Sequence, residues 1–198
     1  MKIALVQLNY VIGDVEGNTA KILGEITKAK EANTDIAVFS ELAICGYPPK
    51  DLLDYPSFIE RCETGLAIIR EATEGIAVLV GGPAWTGLQK GKKLYNSAFF
   101  FADKKLLRRI DKTLLPTYDI FDEYRYFQPN EVFECVEYMG ERIAVTICED
   151  LWNLDDEKLY KVTPMDELIG QKPSVMINLN EITEDSTHME YIKKSNKQ

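Results

Sequence analysis

The order of apolar and polar positions predicts strands and helices that alternate over the first half of the chain. The run KIALVQLN at 2–9 is apolar on both parities, which is typical of a strand covered on both faces. Asn18 is placed to cap a helix that continues to about Ala32 and has an apolar face. DIAVFSE at 35–41 then predicts a second buried strand, so the chain begins as a β-α-β unit.

A second helix and a third strand follow an irregular, proline-containing segment at 45–56. Ser57 and Glu60 form a capping-box pattern that predicts the start of the helix, and Gly75 marks its end. IAVLVGGPAW at 76–85 predicts the strand. Cys62 is interpreted as a core residue, because it belongs to the apolar stripe of this helix, which comprises Phe58, Ile59, Cys62, Leu66 and Ile69.

After residue 85 the pattern changes to strands separated by short polar turns, which predicts hairpins instead of crossover helices. Thr163 and Pro164, with Asp166, predict one more short helix, and SVMINLN at 174–180 predicts the last strand. The whole order indicates an α/β fold in which helices cover layered sheets. The predicted hairpin strands are LYNSAFFFAD at 94–103, KLLRRIDK at 105–112, EVFECVEYM at 131–139 and ERIAVTIC at 141–148.

The composition is that of one globular domain. The chain has 198 residues, of which 45% are hydrophobic and 28% charged. No apolar run approaches the ~20 residues that a membrane helix needs, so we expect no membrane partner. The start lacks the small-residue cleavage site of a secretory signal, which favours a cytoplasmic protein. The net charge is −9 and the basic residues are scattered, which argues against nucleic acid as a partner.

The cysteine and histidine content limits which metal sites and which catalytic mechanisms are possible. The four cysteines include no C-x-x-C pair, and His188 is the single histidine. Few nitrogen ligands are therefore available for a zinc site, and we predict no metal at the functional site. A nucleophilic cysteine would need an activating group other than histidine.

Three reactive side chains stand at the ends of three predicted strands. Glu41 ends AVFSE, Lys112 ends LRRIDK and Cys148 ends IAVTIC. Sites in α/β proteins gather beyond the carboxyl ends of strands, so these three could meet in one pocket. Taken singly, each has an ordinary explanation as a solvated charge or an inert thiol. Taken together, they form a set in which Glu41 accepts the thiol proton, while Lys112 favours the thiolate and then stabilises an oxyanion.

Three longer blocks of sequence contain these residues. They are FSELAICGYPPKDLL at 39–53, RIDKTLLPTYDIFDEYRYF at 109–127 and TICEDLW at 146–152. In order and spacing they resemble the nitrilase superfamily of carbon–nitrogen hydrolases, and most closely the amidase domains of glutamine-dependent NAD synthetases. The resemblance runs from residue 2 to about 180 and implies a nitrilase-like α-β-β-α sandwich. It also implies a glutaminase that releases ammonia through a cysteine thioester.

The resemblance implies a role for each matching residue. Glu41 is implied as general base, Lys112 as oxyanion stabiliser and Cys148 as nucleophile, with no cofactor for the amidase step. Without the resemblance, loop packing would be the better explanation of the tyrosines at 47 and 118. The substrate-binding residues that the resemblance implies are Tyr47, Tyr118, Glu123 and Glu149.

The match ends before residues 181–198, EITEDSTHMEYIKKSNKQ, which form an atypical polar tail. We therefore expect residues 1–180 to be a partial amidase domain whose sandwich is incomplete at its C-terminal end. We also expect the chain to lack the synthetase domain that would use ATP and Mg. The expected partners are glutamine, a synthetase domain or partner chain that receives ammonia, and further copies of the chain. Two alternatives stay open: an amidase for a different small amide, and a non-catalytic assembly module.

Overall fold

The computed structural model describes residues 1–118, 121–153 and 160–181. Two short 3₁₀ helices, Lys50–Asp54 and Cys148–Leu151, lie in loops. The strands are β1 (Ile3–Leu5), β2 (Ile36–Val38), β3 (Ala77–Trp85), β4 (Leu94–Ala102), β5 (Lys105–Asp111), β6 (Val136–Tyr138), β7 (Glu141–Ile147) and β8 (Val175–Leu179). The helices are α1 (Val15–Glu31), α2 (Pro56–Glu71), α3 (Glu123–Tyr126) and α4 (Pro164–Ile169).

The strands form two sheets, and the direction of each strand determines at which end of its sheet the carboxyl end of the strand lies. The first sheet has the order β1-β2-β3-β4-β5, with β1, β2 and β3 parallel and β4 antiparallel to both of its neighbours. Consequently β5 runs in the same direction as β2, and their carboxyl ends share one edge of the sheet. The second sheet has the order β6-β7-β8, with β7 antiparallel to β6 and parallel to β8.

The two sheets pack face to face between helices. Ile36, Leu79 and Phe100 of the first sheet belong to one buried cluster with Ile143 and Ile147 of the second. The opposite face of the first sheet is covered by α1 and α2, whose buried residues include Ile22, Ile26, Ile59 and Ile69. Helix α4 lies in the crossover between β7 and β8 and contacts β7. Side chains on both faces of β2, β3 and β7 are thus buried, as in the predicted layered α/β sandwich.

Both helix starts differ from the sequence prediction. Helix α1 begins at Val15, because the carboxylate of Asp14 accepts the backbone N–H of Gly17 over 3.0 Å. Asn18 is therefore not the cap; it lies inside the helix and exchanges hydrogen bonds with the backbone of Val11. The capping box predicted at 57–60 is also wrong, since Pro56 occupies the first turn and no side chain caps α2. Proline has no N–H to satisfy and a preset φ, so the helix starts at Pro56, two residues before the start at Phe58 that a cap at Ser57 predicts.

Most other elements are confirmed, with shorter strands. The hairpins β3–β4, β4–β5 and β6–β7 are antiparallel, α4 begins at Pro164, and Cys62 is fully buried. Strand β1 covers three residues of the predicted 2–9, because β2, which pairs with it in the described part of the sheet, is equally short. In the described residues no helix is long and apolar enough to cross a membrane.

Candidate active site

Lys112 occupies the centre of a buried charged cluster. It directly follows β5, and its backbone N–H donates to the carbonyl of Asn96 on β4 over 2.8 Å. Its side chain is fully buried, with Nζ 2.7 Å from Glu41 Oε1 and 2.8 Å from Glu123 Oε1. The predicted meeting of Glu41 and Lys112 at one sheet edge is therefore confirmed. Glu123, from the same resemblance block as Lys112, joins them.

The loop after β2 is held tightly against β3, which fixes Glu41. Leu42 has a left-handed backbone with φ +49°. A Cβ atom on Gly81 would lie 2.4 Å from the backbone nitrogen of Leu42, so any larger residue there would displace the loop. Glycine at 81 therefore allows the backbone turn that aims Glu41 at Lys112.

Two further side chains donate hydrogen bonds to the carboxylates of the cluster. Asn96 donates from Nδ2 to Glu41 Oε1 over 2.8 Å and to Glu123 Oε2 over 3.3 Å. The hydroxyl of Tyr47 donates to Glu123 Oε1 over 2.9 Å. The sequence analysis did not identify Asn96, although a polar residue inside the apolar run LYNSAFFFA was a usable signal, because buried amides need partners.

Cys148 stands at a sharp turn where β7 ends. It is the first residue of a 3₁₀ helix and has φ +44°, a left-handed conformation that is uncommon outside glycine. Non-glycine residues in this region cluster at functional sites, because the surrounding structure must hold them there. The Asn178 amide on the neighbouring β8 donates to the Cys148 carbonyl over 3.4 Å.

Asp150 fastens this turn to the strand end that carries Lys112. Its Oδ1 accepts the backbone N–H groups of Thr113 and Leu114 over 3.0 and 2.8 Å. Its Oδ2 accepts the N–H of Ile147 over 3.3 Å. One buried carboxylate thus links the segment after Lys112 to the residue before Cys148. The sequence analysis missed it, because its partners lie in another part of the chain.

The electrostatics indicate a neutral thiol beside a charged lysine. Burial, followed by the charge of Glu41, raises the pKa of Cys148 well above its ordinary value, and the charge of Lys112 only partly offsets this. Burial alone would lower the pKa of Lys112, but Glu123 and Glu41 outweigh it and hold the ammonium charged. Lys112 therefore favours the thiolate, as predicted, without making it the resting form. A proton acceptor is needed during attack, and burial raises the pKa of Glu41 towards that role.

A second carboxylate, Glu149, lies next to Cys148 between two phenols. Tyr118 donates to its Oε2 over 2.9 Å and Tyr160 to its Oε1 over 3.2 Å. The ring of Phe121 contacts those of Tyr118 and Tyr47 at centroid distances of 5.6 and 6.1 Å. The predicted binding residues thus fall into two contact groups around the cluster, with Tyr47 and Glu123 in one and Tyr118 and Glu149 in the other. Their roles stay predictions.

The sequence matches the carbon-nitrogen hydrolase family over residues 2–156. This chain belongs to the carbon–nitrogen hydrolase family. The resemblance drawn from the three blocks is thereby confirmed, and the buried Glu41–Lys112 pair lies within the matched region of this carbon–nitrogen hydrolase.

Several relatives of this carbon–nitrogen hydrolase are named glutamine-dependent NAD(+) synthetase. The protein from Synechocystis sp. is 43% identical over 185 residues, covering 90% of this chain and 33% of the relative. The protein from Aquifex aeolicus is 39% identical over 157 residues, covering 78% of this chain and 27% of the relative. This chain therefore spans about a third of the length of these relatives.

Solved structures agree on the fold. A glutamine-dependent NAD+ synthetase from Acinetobacter baumannii, solved with ADP, has a TM-score of 0.85 at 30% identity, covering 98% of this chain and 35% of that protein. An amidase from Nesterenkonia sp. has a TM-score of 0.75 at 18% identity, covering 96% of this chain and 68% of that protein. The nitrilase-like α/β sandwich predicted for this hydrolase is confirmed by these likenesses.

Proposed function

We propose that this carbon–nitrogen hydrolase cleaves the side-chain amide of glutamine through a thioester on Cys148 and releases ammonia. One observation carries the proposal: a buried lysine held by two carboxylates lies near enough to a cysteine in a left-handed turn for its charge to favour the thiolate. Such a set supplies a nucleophile, a proton acceptor and an oxyanion partner without histidine or metal. The names of the relatives support glutamine as the amide.

In the first half of the reaction, Cys148 Sγ attacks the amide carbon while its proton passes to Glu41. The oxygen of the tetrahedral intermediate gains negative charge, which the Lys112 ammonium stabilises at close range in a site shielded from water. Glu41 then returns the proton to the departing nitrogen. Ammonia leaves, and the glutamyl group stays on sulfur as a thioester.

In the second half, water attacks the thioester carbon and gives a proton to Glu41. The C–S bond breaks, the proton passes to the cysteine sulfur, and glutamate leaves. Glu41 Oε1 is bonded to Asn96 and Lys112, whereas the described residues make no hydrogen bond to Oε2. We therefore assign Oε2 as the Glu41 atom that accepts the proton and returns it in each half of the reaction.

We assign Glu149 and Tyr118 to the recognition of glutamine. A buried carboxylate bordered by phenols suits the α-ammonium group of an amino acid, and Glu149 follows Cys148 directly. Tyr47, bonded to Glu123, is assigned to the wall near the departing nitrogen. These assignments place the two ends of the substrate on the two contact groups around the cluster.

We further propose that the ammonia is passed to a synthetase domain or partner chain that uses ATP and Mg to amidate deamido-NAD. The name of the Synechocystis relative and the ADP-bound structure of an NAD+ synthetase relative support this. We place the reaction in the cytoplasm, and we expect further copies of the chain as partners.

Ammonia release from glutamine, beside asparagine, acetamide and propionamide, tests the proposed function. We expect glutamine to be preferred, and Glu41→Gln to lower turnover by ~10²-fold or more, because general base catalysis is lost while a similar shape is kept. Preference for another amide would assign the chain to a different amidase. No release from any amide by the folded protein would support a non-catalytic module.

A further inference from the structure

Asn96 lies fully buried on β4 between the two carboxylates of the site. A side-chain amide nitrogen has two hydrogens, and Nδ2 directs one to Glu41 Oε1 and the other to Glu123 Oε2. The reversed amide would set its oxygen against two carboxylate oxygens, so the chemistry of the neighbours fixes its orientation. Asn96 on β4 thereby joins Glu41, in the loop after β2, to Glu123, the first residue of α3.

The charges of the cluster explain why a hydrogen-bond donor at this position affects the ionisation of Glu41. Two carboxylates share one ammonium group, so the charge on Glu123 opposes ionisation of Glu41. Hydrogen bonds donated to the ionised form counter this effect. Tyr47 donates to Glu123, while Asn96 donates to both carboxylates, including the one proposed as proton acceptor.

We propose that Asn96 is a positioning residue that aligns the two carboxylates and keeps Glu41 ionised, ready to accept the thiol proton. Asn96 does not touch the reacting atoms and acts through Glu41. The catalytic role of Asn96 rests on the proposed amidase function. Its effect on the ionisation of Glu41 does not depend on that function.

The test compares Asn96→Ala and Asn96→Leu with the wild type and with Ser97→Ala. Both Asn96 variants remove the donors, and leucine also fills the volume in case alanine impairs folding. Ser97 is an equally buried neighbour whose side chain alternates to the other face of β4 and bonds Asp111, so it controls for loss of a buried polar group. One readout is the titration of Glu41 by NMR of ¹³C-labelled glutamate carboxyls, assigned with Glu41→Gln. The other is ammonia release from glutamine against pH.

In both Asn96 variants we expect the titration midpoint of Glu41 to rise by about one pH unit or more, and the acid limb of kcat to move with it. KM should stay within about twofold, since Asn96 makes no substrate contact in the proposed reaction. An unshifted Glu41 titration in a folded Asn96 variant would overturn the inference, even if activity fell. A shifted titration in a protein that releases no ammonia would support the role of Asn96 and refute the proposed function.

Discussion

At the scale of single residues, the site depends on one buried ammonium group shared by two carboxylates. Moving charges out of water is costly, and close pairing offsets that cost only while all partners are present. Lys112 is fully buried and bonded to Glu41 and Glu123. Removing Lys112 would leave both carboxylates buried without a cation, which would destabilise the fold. Stability and the proposed chemistry therefore depend on the same three groups.

Replacing Lys112 should destabilise the protein in a pH-dependent way. In Lys112→Met the two carboxylates lose their cation, which leaves charge buried without its partner and raises the pKa of Glu41 further. We expect a loss of about 3 kcal/mol or more in the free energy of unfolding at pH 8, shrinking towards pH 5 as Glu41 binds a proton. Urea denaturation measures it, with Lys104→Met, in an exposed ion pair with Glu74, as the control. Equal losses at both pH values would contradict the expectation.

Cys148 should be the cysteine that a glutamine-like electrophile modifies first. Cys45 and Cys62 are fully buried, whereas Cys135 and Cys148 are both half-buried. Cys135 lies beside Arg142 and Glu137 instead of Glu41 and Lys112, which makes it the internal control for exposure. Brief labelling with a chloroketone analogue of glutamine, followed by peptide mapping, gives the order. Equal labelling of Cys135 would count against the assignment of Cys148.

At the scale of elements, Asp150 joins the end of β7 to the segment after β5. Burial raises its pKa to about 7, against three backbone hydrogen bonds that lower it. A raised pKa means that the fold favours the protonated carboxyl. Its contribution to stability is thus fully present below the unfolded pKa and is lost as pH rises through about 7.

Asp150→Asn should reveal this titration. Asparagine does not ionise, so the variant lacks the slope of stability with pH that Asp150 contributes. We expect the free energy of unfolding of the wild type, minus that of the variant, to decrease from pH 5 to pH 8. Urea unfolding at both pH values measures it, with Asp54→Asn at an exposed position as the control. A difference that does not change with pH would show that Asp150 titrates outside this range.

The helices and strands also show how much of the fold could be predicted from the sequence. Apolar runs predicted β3, β4, β7 and β8, because burial in a sheet selects apolar residues along a strand, whereas β5 was predicted from the short polar turns that separate the hairpin strands. The predicted starts of α1 and α2 were wrong, because Asp14 caps α1 in place of Asn18 and Pro56 starts α2 without a side-chain cap. Strand ends also drew attention to Glu41, Lys112 and Cys148, and the resemblance blocks added Glu123.

The residues that the sequence did not reveal are those whose partners are distant. Asn96 meets Glu41 across 55 positions, and Asp150 meets Thr113 across 37. Hydrogen bonds between distant segments have no fixed spacing along the chain, so neither residue indicates its partners, although Asn96 stands out as a polar residue in an apolar run. Only folding brings them to the site. Residues 181–198, predicted as an atypical tail, lie outside the described residues except for the first of them.

At the scale of the whole molecule, exposed apolar residues at a sheet edge favour self-association. Among the described residues, strand β1 is an edge of the first sheet, and Leu5 is 78% exposed there. Unpaired edges with apolar side chains tend to pair with other chains. We expect light scattering to detect oligomers at micromolar concentration. The fraction of oligomer should be lower for Leu5→Lys than for the control Leu88→Lys, which changes an exposed loop residue in the same way. A monodisperse monomer would contradict the expectation.

The central claim is that glutamine is opened by Cys148, and the covalent intermediate tests it most directly. Acid quenching during turnover, followed by mass spectrometry of the peptide that contains Cys148, detects a glutamyl group attached to sulfur. We predict that this adduct appears in the wild type within one turnover, disappears when glutamine is exhausted, and is absent from Cys148→Ala, which releases no ammonia. Ammonia release by Cys148→Ala at the wild-type rate, or a glutamyl group on a different residue, would contradict the claim.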